Sequence, residues 1–85
     1  MTEEFKQAIE DSKTLTKRPS NEELLQLYAL YKQSTEGDTT ENRPGGFDFK
    51  AIAKYDAWET LKGKTREEAM ESYVSLVKEL IRKYA

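Results

Sequence analysis

Cysteine and histidine are both absent from this chain of 85 residues. Without cysteine there are no disulfides and no thiolate metal ligands, so packing alone must hold the core, in keeping with a reducing compartment. Without histidine the commonest general base and the commonest metal ligand are missing. The carboxylates form neither an H-E-x-x-H nor an EF-hand spacing, so no metal, no cofactor and no catalytic residue is expected. Apolar runs are short, as in Leu24-Leu25 and Leu76-Val77, far below the roughly 20 needed to cross a bilayer. The first residues, Met1-Thr2-Glu3-Glu4, are acidic where a secretory leader would be basic and then apolar, which points to the cytoplasm. A basic excess is lacking too: 14 Lys and Arg stand against 16 Asp and Glu, a net charge of −2. That balance argues against nucleic acid as a partner, because phosphate-backbone binding draws on surplus cations.

What is present is helical periodicity, in four segments and without a period-2 run, so an all-α bundle of one domain is expected. The first segment, about Thr2 to Leu15, carries Phe5, Ala8, Ile9 and Leu15 as a narrow stripe, with Glu3 and Glu4 where the helix dipole favours anions. Thr16-Lys17-Arg18-Pro19 breaks it as a basic connector. The second has a reciprocal capping signal, Ser20 with Glu23 three residues later, and Gly37 as its stop. Its apolar face is wide: Leu24, Leu27, Leu30 and Tyr31, with Leu25 and Tyr28, exceed one core stripe. From Gly37 to about Asp48 the sequence is turn-forming, a long loop that is either functional or spans the bundle's length. The spanning reading requires the third helix to run parallel to the second. That third helix, about Phe49 to Leu61, is capped by Asp48 and stopped by Gly63, with Phe49, Ala53, Ala57, Trp58 and Leu61 near helical spacing. Thr65 and Glu68 cap the fourth, in which Ala69, Tyr73, Val77, Leu80 and Tyr84 keep register to the end.

Within the second helix, Tyr28, Tyr31 and Lys32 are three and four residues apart and share a surface. Two rings beside an ammonium suit a ligand with a flat ring and a phosphate, as in a nucleotide, but each tyrosine equally suits amphipathic packing and each lysine a solvated face. Lys13 to Arg18 holds three cations and no acid, and Lys50 and Lys54 lie one turn apart on the third helix. Convergence of that patch with Lys32 and Lys54 would make a phosphate site. Tyr73, in core register, is expected to be packed with a bonded hydroxyl.

These residues resemble the acyl-coenzyme A binding protein family across the whole chain. The resemblance rests on Pro19-Ser20-Asn21-Glu22, Leu24, Leu27-Tyr28-Ala29, Tyr31-Lys32-Gln33-Ser34-Thr35 and Gly37. It continues in Arg43-Pro44-Gly45, Asp48-Phe49, Lys54-Tyr55-Asp56-Ala57-Trp58, Leu61-Lys62-Gly63 and Ala69 to Tyr73. It implies an up-down-down-up four-helix bundle and a monomeric, non-catalytic cytoplasmic carrier of medium- and long-chain fatty acyl-CoA, residues 1–85 forming one acyl-CoA-binding domain. By the same resemblance Tyr28, Lys32 and Lys54 would hold the 3′-phosphate. Tyr31 would stack on adenine, Tyr73 would approach the nucleotide, and Lys13 would contact the head group. Lys17, Arg18 and Lys50 would be secondary phosphate contacts, and Ile9, Leu24 and Leu25 would line the acyl groove. Transient contact with anionic membranes and with acyl-CoA-using enzymes is a further expectation. The sequence departs from the family's pattern at Ile52, where a basic residue is frequent, at Tyr55, where tryptophan is common, and at Ile9, bulkier than in some members. Two other classes compete. An enzyme acting on acyl-CoA would need a base that the chain lacks, and a protein-interaction bundle would use the wide face of the second helix for a partner helix.

Overall fold

The computed structural model describes residues 2–84, and they form four helices. Helix α1 spans Glu3–Ser12, α2 Asn21–Glu36, α3 Phe49–Glu59 and α4 Arg66–Tyr84. Each start follows a cap written in the sequence. The Ser20 hydroxyl accepts from the Glu23 amide at 3.1 Å while the Glu23 carboxylate accepts from the Ser20 amide at 2.9 Å. Thr65 and Glu68 repeat this exchange at 3.0 Å in both directions, and Asp48 accepts from the Ala51 amide at 3.1 Å.

Helix α1 is shorter than its periodicity suggests. The Ser12 and Thr14 hydroxyls each donate to the carbonyl three residues back, on Ile9 and Asp11, both at 2.7 Å. The Lys13 and Thr14 amides also turn to carbonyls three residues back. These bonds tighten the last turn and satisfy its free carbonyls, so the helix ends at Ser12 with Lys13 as its cap and Leu15 lies in the connector. Helix α3 likewise stops at Glu59, and a run of tight turns carries the chain through Leu61 to Lys64.

Helix directions follow from which ends meet. Thr2 and Glu4 share a cleft with Glu67 and Met70, and the Thr16 hydroxyl reaches the Tyr84 carbonyl at 3.1 Å, so α1 and α4 are parallel. Glu23 near the start of α2 meets Lys83 and Tyr84, while Arg66 donates to the Glu36 carbonyl at its end, so α2 and α4 are antiparallel. Asn21 and Lys50 line one cleft, and Gln33 meets Trp58, so α3 runs with α2. The order is up-down-down-up, as expected. Helix α2 covers about 24 Å in its 16 residues, and an extended segment as long as residues 37–48 reaches about 40 Å. The long loop is therefore a return strap along the bundle.

Helix α4 packs on both α1 and α2, and α2 packs on α3. The core cluster is Phe5, Ala8, Tyr73 and Val77, with Ile9, Leu27 and Leu30 against it. The Phe5 and Tyr73 rings meet edge to face at 5.2 Å, an arrangement aromatic quadrupoles favour.

A second, polar, cluster closes the far end of α2. Gln33 is fully buried. Its amide nitrogen donates to Asp38 and to the Lys64 carbonyl, both at 2.8 Å, and its oxygen accepts from the Trp58 indole at 3.1 Å. The same indole donates to the Gly37 carbonyl at 2.9 Å, and Asp38 also accepts from the Gly63 amide at 2.9 Å. One amide thus ties α2 to the strap, to α3 and to the turn before α4. Gly37 ends the helix at a φ of 79°, open to glycine and strained for other residues.

No helix among the described residues is long and apolar enough to cross a membrane.

Candidate functional site

Two open clefts flank the middle of α2 on its solvent side. The first, about 500 Å³, lies between α2 and the connector after α1, and Leu24, Tyr28, Tyr31, Lys17, Arg18 and Tyr73 line it together with Ser12, Leu15, Thr16, Pro19 and Leu27. The second, about 630 Å³, lies between α2 and α3 and is lined by Arg18, Asn21, Leu24, Leu25, Tyr28, Lys50, Ala53 and Lys54. Arg18, Leu24 and Tyr28 belong to both, so the clefts are continuous across one turn of α2.

Helical spacing accounts for this wall. Leu24, Tyr28 and Tyr31 follow one another at four and three residues and share a face, while Leu25 is turned toward α3. Tyr31 is 40% exposed, its ring 6.2 Å from Phe5 and nearly parallel to it, and 6.4 Å from Tyr73. A planar group entering the cleft therefore meets a ring already held from behind. Tyr73 is buried to 5% exposure and its hydroxyl lies 3.5 Å from that of Ser12. Burial pushes its phenol above the usual range, partly offset by Ser12. It is both the packed residue that its register implies and part of the cleft floor.

The cations divide into two groups. Lys54 sits over the Tyr28 ring with its ammonium 5.1 Å from the centroid, and Arg18 is steadied by a 3.0 Å bond to Asn21. Together with Lys17 and Lys50 these cations face the clefts, and none has a carboxylate within ion-pair distance among the described residues. Unpaired cations beside aromatic rings on an otherwise acidic protein attract a phosphorylated aromatic ligand.

Lys32 and Lys13 do not line either cleft. Lys32 is paired with Glu36 one turn on, and that bond holds its ammonium above the usual range; its charge also lies 5.0 Å over the Trp58 ring. Lys13 lies 3.7 Å from Glu10 on the exposed end of α1. The convergence of the Lys13 to Arg18 patch with Lys32 and Lys54 is thus only partial: Arg18, Lys50 and Lys54 come together, because the connector folds over the start of α2 beside α3.

Of the three residues expected in the acyl groove, Leu24 and Leu25 line the cleft, whereas Ile9 packs against the core cluster. Phe49, read as part of the α3 packing face, is 70% exposed, at the first residue of α3 just after the Asp48 cap. Ile52 and Tyr55 line neither cleft; the Tyr55 hydroxyl donates to Glu59 at 3.0 Å.

Four residues make contacts for which the sequence carried no assigned role. Ser12 and Asn21 sit in the clefts beneath Tyr73 and Arg18, Glu36 occupies Lys32, and Gln33 is the polar hub. Only Gln33 carried a signal: an amide in register with Ala29 and Leu30 on a buried face needs internal partners.

The fold and its clefts define a small all-helical binding protein whose ligand face joins neighbouring phenols, unpaired cations and leucine side chains. The sequence matches the acyl CoA binding protein family over residues 2–77. It is 52% identical over 84 residues to acyl-CoA-binding protein homolog 1 of Caenorhabditis elegans, covering 99% of this chain and 98% of that one. It is 47% identical over 81 residues to the acyl-CoA-binding protein of Saccharomyces cerevisiae, covering 95% and 93%. The crystal structure of Oryza sativa acyl-CoA-binding protein 2 superposes with a TM-score of 0.90 at 48% identity, over 95% of this chain and 90% of that one. The chain belongs to the acyl-CoA-binding protein family.

Proposed function

We propose that this chain, as one acyl-CoA-binding domain, is a non-catalytic cytoplasmic carrier that binds medium- and long-chain fatty acyl-CoA esters for pool formation and transport. The observation that carries the reading is the continuity of the two clefts at Tyr28, Leu24 and Arg18, which puts rings, cations and an apolar wall within one ligand's length. Tyr31 stacks on the adenine, with Tyr73 as floor. Tyr28 and Lys54 hold the 3′-phosphate, and Lys32 joins them when the phosphate replaces Glu36 as its partner. Lys17, Arg18 and Lys50 neutralise the remaining phosphates, and Lys13 meets the head group from the end of α1. The acyl chain lies along Leu24, Leu25 and Ala53, with Ile9 behind the floor.

Each buried methylene contributes about 0.8 kcal/mol, so a chain of about 16 carbons offers on the order of 10 kcal/mol before ordering costs. The phosphate contacts set orientation and separate a CoA ester from a free fatty acid. The chain has neither histidine nor cysteine to serve as base or nucleophile, so the thioester passes through unchanged, and the protein acts as a monomer that meets membranes and acyl-CoA-using enzymes only in passing.

Calorimetric titration with palmitoyl-CoA tests the assignment. The Lys54→Ala variant should bind more weakly by about 1.5 to 3 kcal/mol, the usual cost of losing a hydrogen bond to a charged group, with its helicity intact. Equal affinity in wild type and variant would remove Lys54 from the phosphate site, and a wild type that takes up no ligand would end the carrier reading.

A further inference from the structure

Among the described residues, the two most exposed large apolar side chains stand together at the start of α3. Phe47 is 90% exposed and Phe49 70% exposed. Their rings meet edge to face at 6.3 Å, and the Phe49 amide donates to the Phe47 carbonyl at 2.9 Å, which folds the chain so that both rings project from the start of α3. The pair is part of a turn with a fixed shape, and nothing in the bundle covers it.

Its surroundings are cationic. Phe49 is one turn before Ala53 on the same face of α3, and Ala53, Lys50, Lys54 and Arg18 line the second cleft. Between Asn42 and Tyr55 the only acid is Asp48, and its carboxylate is turned onto the Ala51 amide as the helix cap. On a chain of net charge −2, two bare phenylalanines at the start of α3, whose first turns carry Lys50 and Lys54 into the second cleft beside Arg18, form a patch opposite in sign to the whole.

We infer that Phe47 and Phe49 insert into the interface of an anionic bilayer, with Lys50, Lys54 and Arg18 against its headgroups, and so bring the acyl cleft to the membrane surface. Aromatic side chains partition into the headgroup boundary, and neighbouring lysine and arginine add attraction to anionic lipid. The inference rests on the acyl-CoA reading for its purpose: a tail that leaves a bilayer exposes its methylenes to water unless the cleft's mouth meets the lipid. A protein partner would call for a groove or an extended face, and the turn offers two rings on a convex corner.

The test is vesicle flotation of the ligand-free protein. Wild type should partition onto phosphatidylcholine vesicles containing about 30 mol% phosphatidylserine and leave pure phosphatidylcholine vesicles nearly bare. The double variant Phe47→Ala, Phe49→Ala should lose about tenfold or more of that partitioning. Both side chains are exposed, so the variant keeps its circular dichroism. Its affinity for palmitoyl-CoA in vesicle-free titration should equal that of wild type. Equal partitioning of variant and wild type, or no preference of wild type for anionic vesicles, overturns the proposal. So does a variant that loses acyl-CoA affinity in solution while it still floats with vesicles, because the rings would then cover the ligand's tail. Wild type that floats with anionic vesicles but takes up no palmitoyl-CoA overturns the proposed function alone, since flotation is read without ligand.

Discussion

The two ends of α2 solve opposite problems. At its C-terminal end Gln33, Gly37 and Asp38 bind Trp58, Gly63 and Lys64 in a closed set of hydrogen bonds. Across the described residues no buried side-chain nitrogen or oxygen lacks a partner. Toward its N-terminal end Leu24 and Tyr28 face open clefts with Arg18, Lys50 and Lys54, whose charges meet no carboxylate there. The closed end satisfies its polar groups from within the chain and holds the helices in register. The open end leaves apolar and charged groups for a ligand to satisfy, so stability and binding are built on different turns of one helix.

Substitutions can break this division, and Trp58→Ala is the harshest. It removes a buried indole and leaves the Gln33 oxygen without its donor, so it should lower unfolding free energy by about 3 to 5 kcal/mol in urea titration. A loss below about 1 kcal/mol would mean that the closed end is not what secures the bundle. Lys54→Ala, at the open end, should change stability by no more than about 0.5 kcal/mol in the same titration while weakening the ligand. Equal loss of stability at both ends would dissolve the contrast.

Glu36→Gln tests whether a cation held at the closed end can be released to the ligand. It frees Lys32 from its ion pair, and palmitoyl-CoA should then bind more tightly by about 0.5 to 1 kcal/mol in calorimetry, the scale of an exposed pair. Weaker binding would place Glu36 on the ligand's side of the balance.

The smallest effect is a pH dependence. The Tyr84 hydroxyl, the Ser20 amide and the Lys83 ammonium hold the Glu23 carboxyl at about 2, against an ordinary 4.5. A carboxyl depressed in the folded state stabilises fully above its unfolded value, and that contribution drains away as pH falls from 4.5 toward about 2. Asp38, Asp56 and Glu68 are lowered as well and act in the same direction. Melting temperature should therefore fall across this window, and Glu23→Gln should make the fall shallower. An identical slope in the variant would show that the contact at the start of α2 does not persist in solution.

Local signals carried far along this chain. Ser20 with Glu23, Asp48, and Thr65 with Glu68 marked three helix starts because capping is a contest among neighbouring atoms, settled within a few residues. The length between Gly37 and Asp48 left a parallel third helix as one of two readings, and the strap settles it. The same locality misled at the ends of helices. Leu15 continues the stripe of α1 although Ser12 and Thr14 have already ended the helix, and Phe49 keeps helical spacing with Ala53 while it stands exposed.

By itself the sequence determined the helices, their caps, the lack of thiol and imidazole chemistry, and the face of α2 on which Tyr28 and Tyr31 stand, since each follows from bonds or spacings a few residues long. Only the tertiary structure decided which cations share a cleft, that Glu36 holds Lys32, that Gln33 joins α2 to the strap, α3 and the turn before α4, and that Phe47 and Phe49 stand bare. Those outcomes depend on how the connector and the strap bring distant segments together, and helical periodicity carries no information about distances between helices.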